Sequence, residues 1–168
     1  MSLTYEKITE KLTAKFGADI LQTEEPYNML TITVSKEKIV DIVKYMKEDT
    51  ELRFIFLTDI TGIHYPDDPT GEKLGVIYHL HNLVDNVRLR LKSFFPKENP
   101  SIDSLTGLYS GANWMERETF DFFGIIFNNH PNLKRILNVD DMDYHPMRKE
   151  YALEDPTRED KEDKFFGR

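Results

Sequence analysis

The hydrophobic pattern of this chain predicts an α+β domain of two layers, with helices packed on one face of a mixed, largely antiparallel sheet and a C-terminal extended tail. Three observations carry the prediction. Helical periodicity is confined to a few separated segments, too few to cover both faces of a doubly wound sheet. Three strand-like segments between residues 54 and 95 follow one another too closely for crossover helices. From Asn138 onward the apolar content drops, and from Glu154 the chain is nearly all polar and charged until Phe165-Phe166. The expected organisation is one domain over residues 1–152 and a polar tail over 153–168, disordered or ordered only against a partner.

Residues 4–16 read as a helix, because Tyr5, Ile8, Leu12 and Phe16 stack on one face at spacings of three and four. Thr4 can cap its start and Gly17 can end it. Asp19–Gln22 is a short strand candidate, interrupted by Glu24-Glu25-Pro26. Met29–Val34 alternates, with Leu30, Ile32 and Val34 on one side, and reads as a strand. Ser35 is placed to cap a helix over about 36–48, which buries Ile39, Ile42, Val43 and Met46.

Phe54–Leu57 is a continuous apolar run, expected as a strand buried on both faces and running into Asp59–Pro66. Asp67–Gly71 is a turn by composition. Leu74–Leu83 and Val87–Phe95 are two further strands joined through Asp85-Asn86, a natural hairpin. Pro96–Pro100 reads as a loop, Ser101–Tyr109 as a short helix broken by Ser110-Gly111, and Ala112–Phe123 as a helix ended by Gly124.

Composition narrows the function. A chain of 168 residues is long enough for a real core. Its net charge of −8 disfavours a general role in binding nucleic acid or an anionic membrane surface. The absence of Cys removes disulfides, thiolate nucleophiles, Cys-ligated zinc and Cys-ligated iron–sulfur clusters together. No apolar run approaches the roughly 18–20 residues a bilayer span requires. The segment Met1–Glu6 lacks a basic region followed by an apolar stretch, so no signal peptide is expected. Neither a glycine-rich phosphate loop nor a nucleophile elbow is present.

The chemistry concentrates in Trp114–Leu137. This stretch holds the only Trp and four of the eleven Phe, and four charges (Glu116, Arg117, Glu118, Asp121) fall in its first eight residues. Such a mixture either hides ion pairs inside the fold or offers a surface to something else. On a helix Glu116 and Glu118 point about 200° apart, which disfavours a catalytic dyad. Arg117 and Asp121 are four apart and can pair. The later cations Lys134, Arg135, Arg148 and Lys149 can close on this acidic helix or face complementary charge on another protein. Elsewhere, His79 and His81 share one face of a predicted strand; two imidazoles so placed can share a metal, and a solvent-facing strand side is the plainer reading. His64, His130 and His145 have no local ligand spacing.

Read together, Ala112-Asn113-Trp114, Glu116-Arg117-Glu118, Asp121, Phe123-Gly124, Phe127, His130-Pro131, Leu133 and Lys134–Leu137 resemble the hallmark block of the C subunit of the proton-pumping NADH:quinone oxidoreductase, respiratory complex I. A second block, Pro146–Tyr151, is similar to that family's, with Met147 where Leu is usual, Glu150 where Asp is usual and, just beyond, Ala152 where Pro is usual. Leu57–Pro66 and Tyr78-His79-Leu80 resemble it too, with His64 in place of its typical Asp. The resemblance spans roughly residues 30–152.

It implies a cofactor-free structural subunit of the hydrophilic arm, in a complex that couples NADH-to-quinone electron transfer to proton translocation and carries flavin, iron–sulfur clusters and quinone on other subunits. It implies docking on the quinone-site subunit (D), near the terminal-cluster subunit (B). The position implied is peripheral, on the cytoplasmic side of the cell membrane. No catalytic, cofactor-binding or metal residues are expected. The residues expected to form partner contacts or structural ion pairs are Trp114, Glu116, Arg117, Glu118, Asp121, His130, Arg135, Arg148 and Lys149. Two alternatives stand beside this: an assembly subunit of a membrane-bound hydrogenase, and a stand-alone hydrolase using His79, His81 and the carboxylates.

Overall fold

A computed structural model describes residues 3–151; the expected tail over 153–168 lies outside the described residues. Helix α1 spans Tyr5–Phe16, with Thr4 Oγ1 accepting the Lys7 N–H and Gly17 ending it at φ 50°. Strands β1 (Ile20–Glu24) and β2 (Leu30–Val34) follow, then α2 (Ile39–Glu48) and the long strands β3 (Phe56–Tyr65), β4 (Lys73–Asn82) and β5 (Val87–Pro96). A short strand β6 (Ser101–Asp103), helix α3 (Ala112–Phe123) and short strand β7 (Ile126–Asn128) complete the elements.

The main sheet has the order β1-β2-β5-β4-β3. Only the β2–β5 pair is parallel; α2 lies in the connection that brings the chain back alongside β2. The β4–β5 hairpin closes on Asn82, whose Oδ1 accepts the Val84 and Asp85 N–H groups at 2.8 and 2.9 Å, and whose Nδ2 donates to Leu52 O at 2.8 Å. In register across the sheet, Ile32, Leu91, Tyr78 and Ile60 are all buried. This face receives Ile8 and Leu12 of α1 and Ile39, Ile42, Val43 and Met46 of α2 in one apolar core. It receives α3 too: a Cβ at Gly62 on β3 would lie 2.4 Å from the Phe123 ring. The opposite face carries the polar row Asp59, His79, Arg90. One face buried and one polar is what an antiparallel-rich sheet with a single helical layer requires.

Four local expectations change. Ile55 and Phe56 are exposed and β3 alternates, because helices cover only one side of this edge strand; Phe54 is buried before the strand begins, with its N–H on Met46 O at 2.9 Å. Residues 101–109 are not a helix: Ser101–Asp103 pairs in parallel with Ile126–Asn128, and only a single turn forms at Leu105–Tyr109. The backbone donors that a helix would satisfy internally are taken here by a distant strand. Ser35 does not cap α2; its hydroxyl meets the Glu37 carboxylate at 2.7 Å and the chain enters α2 through a 3-10 turn at Lys36–Lys38. β1 extends through Glu24, whose carboxylate pairs with Lys92 at 2.8 Å. Among the described residues no helix is long and apolar enough to cross a membrane.

Candidate functional site

Helix α3 and the segment that wraps it, residues 130–151, hold most of the residues the sequence singles out. The helix buries Ala112, Glu116, Thr119 and Phe123 on one stripe, and Asp121 on a flank covered by the wrapping segment. Gly124 ends it in the left-handed region at φ 71°, its N–H on Phe120 O at 2.8 Å. The next three carbonyls are all satisfied from residues 135–148. Asp121 O accepts from Arg135 Nη1 at 3.1 Å and His145 Nδ1 at 2.9 Å; Phe122 O accepts the Met147 N–H at 3.1 Å; Phe123 O accepts Arg148 Nε at 2.7 Å. Two guanidinium groups at a helix C-terminus also suit its partial negative charge. The strap over residues 145–151 passes so close that a Cβ at Gly124 would lie 2.5 Å from His145 and 2.6 Å from Arg148.

Asp121 is the node of this clamp. Its Oδ2 accepts three consecutive backbone N–H groups, from Ile136, Leu137 and Asn138, at 3.0, 2.8 and 2.9 Å. Its Oδ1 accepts Arg135 Nη1 at 2.7 Å and Asn138 Nδ2 at 3.0 Å. Burial by itself would raise the Asp121 pKa, but the N–H groups of Asn138, Ile136 and Leu137 and the Asn138 amide outweigh it and hold the carboxyl well below its usual range. Arg135 spends its other nitrogen on Met142 O and Tyr144 O, at 2.7 and 3.0 Å.

The expected Arg117–Asp121 pair does not form. Asp121 is already saturated, and Arg117 donates instead to Lys134 O and Arg135 O at 3.1 and 3.0 Å, with its guanidinium 5.1 Å from the Trp114 ring centre.

Glu116, one turn earlier and equally buried, has fewer donors and is shifted the opposite way. It is fully buried, and its carboxylate accepts the Ser104 hydroxyl at 2.6 Å and the Leu105 N–H at 2.7 Å. Burial outweighs both hydrogen bonds and pushes its pKa from 4.5 to about 7. The two carboxylates therefore fasten different loops to one helix.

His130 is a local pin: Nδ1 accepts the Asn132 N–H at 3.0 Å and Nε2 faces Asn113 O at 3.1 Å. Arg148 is internal. Lys149 contributes its backbone N–H to His64 Nδ1 at 2.9 Å, while its side chain is exposed. Glu118 is exposed, as are Trp114 (61%), Leu137 (64%) and Val139 (63%). Asn138, His145 and His64 are invisible as clamp residues in the sequence, because their partners, the Asp121 carboxylate, the Asp121 carbonyl and the Lys149 N–H, reach them only by folding.

The hydrolase constellation does not converge. His79 lies 3.6 Å from Asp59 and accepts Arg90 Nε at 3.1 Å, and His81 meets Asn86 at 3.0 Å. His79 and His81 stand on the sheet face opposite α3 and its carboxylates, since they alternate with Val76, Tyr78 and Leu80 on the helical side. A second grouping, His64, Glu72 and Glu150, brings its ligand atoms within 4.8 Å. Here Nδ1 of His64 already accepts an N–H, so a neutral ring carries its proton on Nε2, 2.8 Å from Glu72, and Lys97 Nζ supplies the positive charge to both carboxylates.

Comparison with known proteins agrees with this architecture. The family model described as respiratory-chain NADH dehydrogenase, 30 Kd subunit, matches residues 32–157. The C subunit of the NADH-quinone oxidoreductase of Geobacter sulfurreducens is 42% identical over 151 residues, which cover 89% of this chain and 90% of that protein. The corresponding C subunit of Roseiflexus sp. is 43% identical over 154 residues, 91% of this chain and 87% of that one. Among solved structures, the trypsin-resistant fragment (1-134) of Nqo5 aligns with a TM-score of 0.65 at 30% identity, covering 76% of this chain and 98% of that chain. A chain of the membrane-bound sulfane sulfur reductase, an archaeal respiratory membrane complex, aligns with a TM-score of 0.73 at 23% identity, covering 88% of this chain and 85% of that one, and shares the fold. The chain thus belongs to the family of the 30 kDa subunit of respiratory-chain NADH dehydrogenase.

Proposed function

We propose that the chain is a structural subunit of a proton-translocating NADH:quinone oxidoreductase that holds no cofactor of its own and docks on the quinone-site subunit, close to the subunit of the terminal cluster. The observation that carries this is the division of labour around α3. Of the charged residues expected to form partner contacts or structural ion pairs, Glu116, Arg117, Asp121, Arg135 and Arg148 are satisfied within the chain. Large apolar side chains on the same elements, Trp114, Leu137, Val139 and Met147, stay exposed. Internal ionic rigidity beneath exposed aromatic and aliphatic groups, with Arg117 held against Trp114, matches the make-up of protein–protein interfaces. The lack of Cys supports a role without iron–sulfur ligation. Membrane association then comes through the complex, on its cytoplasmic side. The choice of an NADH:quinone oxidoreductase as the parent complex is supported by relatives above 40% identity, which are NADH-quinone oxidoreductase C subunits.

The test is Trp114→Ala in the native complex. The free chain should keep its stability within about 0.5 kcal/mol, as an exposed position does, while recovery of intact complex from membranes falls. Undiminished assembly would remove Trp114 from the interface. The isolated chain should oxidise no NADH; robust oxidation would overturn the role proposed here.

A further inference from the structure

One end of the sheet, about 26 Å along β3 from the strap at His64, gathers the turn before β2, the start of β5, the end of β4 and the start of β3. The Tyr5 hydroxyl lies 3.3 Å from Asn28 O and 3.4 Å from Arg88 O, which joins the first two. Across the strands Arg88 is in register with His81, and His81 with Phe56. The loop into β3 is tied to the same place: Asn82 Nδ2 donates to Leu52 O at 2.8 Å, and Arg53 lies 3.5 Å from Asp85. Five large apolar side chains stand exposed here, Tyr27 at 98% and Ile55, Phe56, Leu83 and Val84 at 48% or more. We propose that this end is a second docking surface, separate from the α3 clamp, and that its occupant is a segment of another subunit that sets a carboxylate among apolar side chains. The inference rests on the reading of the chain as a subunit of a complex.

The backbone shows that the exposure is built in. Among the described residues five non-glycine positions have a positive φ, and four of them lie at this end: Tyr27 (56°), Asn28 (59°), Arg53 (42°) and Asn86 (54°). Asn adopts this region readily, whereas Tyr and Arg are strained in it. Strained backbone persists where the geometry itself is needed. The Tyr27 ring gains no burial in return; what its turn achieves is to hold the ring in solvent. The turn at Arg53, closed by the Ile55 N–H on Arg53 O at 2.9 Å, likewise leaves Ile55 outside next to buried Phe54. The five side chains together expose roughly 500–600 Å² of apolar surface, the upper end for a patch on a monomer. With a polar rim this approaches the ~800 Å² that each partner brings to a standard protein interface.

Charge selects the occupant. Arg117, Arg135 and Arg148 spend their guanidinium groups inside the chain. Arg88 is exposed in the row between the Tyr27 turn and Phe56, and among the described residues no acceptor meets its guanidinium. The carboxylates at this end are engaged elsewhere: Glu24 with Lys92, Asp85 with Arg53 and the Asn82 amide, and Glu51 with Lys7 and Lys11. The exposed Glu25 makes no ion pair with Arg88. His81 faces Asn86 at 3.0 Å and is nearly buried, so it offers the Arg88 head no acceptor either. A guanidinium left open beside aromatic and aliphatic groups fits a planar carboxylate carried on an apolar segment, and Tyr, Phe and Arg together are the residues on which protein interfaces concentrate their binding energy.

The test compares the full chain alone with the native complex purified from membranes. Hydroxyl-radical labelling should mark Tyr27 and Phe56 readily in the free chain and about tenfold less in the complex. With p-benzoylphenylalanine placed at position 27, irradiation of the complex should join it to a segment of another subunit in which Asp or Glu stands among apolar residues. Arg88→Glu should lower the amount of chain retained in the complex about tenfold, and Arg88→Lys less, while the free chain melts as before because the side chain is exposed. Equal labelling of Tyr27 in both states, a cross-link to a second copy of this chain, to lipid or to a segment without a carboxylate, or full retention of Arg88→Glu would each overturn the proposal. A chain recovered in no complex overturns the subunit role and this surface together; an intact complex with Tyr27 fully labelled overturns this surface alone.

Discussion

The two sides of the helical layer are fixed by opposite means. On one side α1 and α2 press aliphatic side chains, among them Ile8, Leu12, Ile42 and Met46, onto Leu30, Ile32 and their neighbours. On the other side α3 contributes fewer apolar residues, among them Phe123 over Gly62 of β3, and is bound to the segment that wraps it by hydrogen bonds: five donors on the Asp121 carboxylate and three consecutive end carbonyls met by residues 135–148. Apolar packing is non-directional and tolerates adjustment, whereas the clamp is all donors and acceptors and fails when one partner is removed. The clamped side is also where exposed Trp114, Leu137 and Val139 lie. Directional bonds leave the surface of such a region free for apolar side chains that a core-packed helix would have to bury.

The largest test of this contrast is Asp121→Ala. It leaves three backbone N–H groups and the Arg135 guanidinium without their acceptor, and should cost about 3–5 kcal/mol in urea unfolding, the scale of a broken buried pair. A loss below about 1 kcal/mol would mean that packing, not the carboxylate, holds the segment. Ile42→Ala on the other side should cost about 2–5 kcal/mol through a cavity, yet leave amide protection over residues 136–138 unchanged relative to the global value. Selective loss of that protection would merge the two regions into one cooperative unit.

The carboxylates of α3 also predict opposite pH behaviour. The folded protein keeps the Glu116 proton up to about pH 7, and the unfolded chain releases it near 4.5, so this group's contribution to stability falls as pH rises through that window. The span is on the order of 3 kcal/mol. Glu116→Gln should remove the fall in urea midpoints measured between those pH values. Asp121 acts in the other direction: its folded pKa is depressed, so its contribution is complete above the ordinary 3.8 and is lost as pH drops below it. His145 is lowered by burial, against the pull of Asp121 O, and with Arg148 and Arg135 nearby; its contribution is likewise complete above 6.5 and declines below. A Glu116→Gln protein should therefore keep or gain stability as pH rises to neutrality. A persistent fall would assign the slope elsewhere.

A smaller effect is expected from Gly124→Ala. The left-handed φ of 71° and the approach of His145 and Arg148 combine to cost about 1–3 kcal/mol in thermal unfolding. A neutral substitution would show that the strap can lift from the helix end without penalty.

The apolar side of the molecule is legible residue by residue. The burial of Ile39, Ile42, Val43 and Met46 follows from helical period, that of Leu30, Ile32 and Val34 from strand alternation, and Gly124 announces the end of α3. The hairpin of β4 and β5 is likewise local, closed by Asn82 within its own turn. The clamped side is legible only as a composition. Four charges among aromatics say that ion pairs or an interface lie there, but i, i+4 spacing chooses the wrong partner for Arg117. Spacing sees side chains on the same helix; Asp121 answers to backbone donors some fifteen residues on. The same blindness produces the helix expected at 101–109, where the deciding partner is β7.

By itself the sequence determined the α+β layering, the identity of the core faces and, through its motif block, the family, because each of these depends on local period or on residue identity. Tertiary structure alone decided which charges are internal. Asp121, Arg135, Arg148 and His64 find their partners across a wrapped segment, and the energy of each contact depends on a backbone N–H or C=O whose position no side-chain pattern encodes.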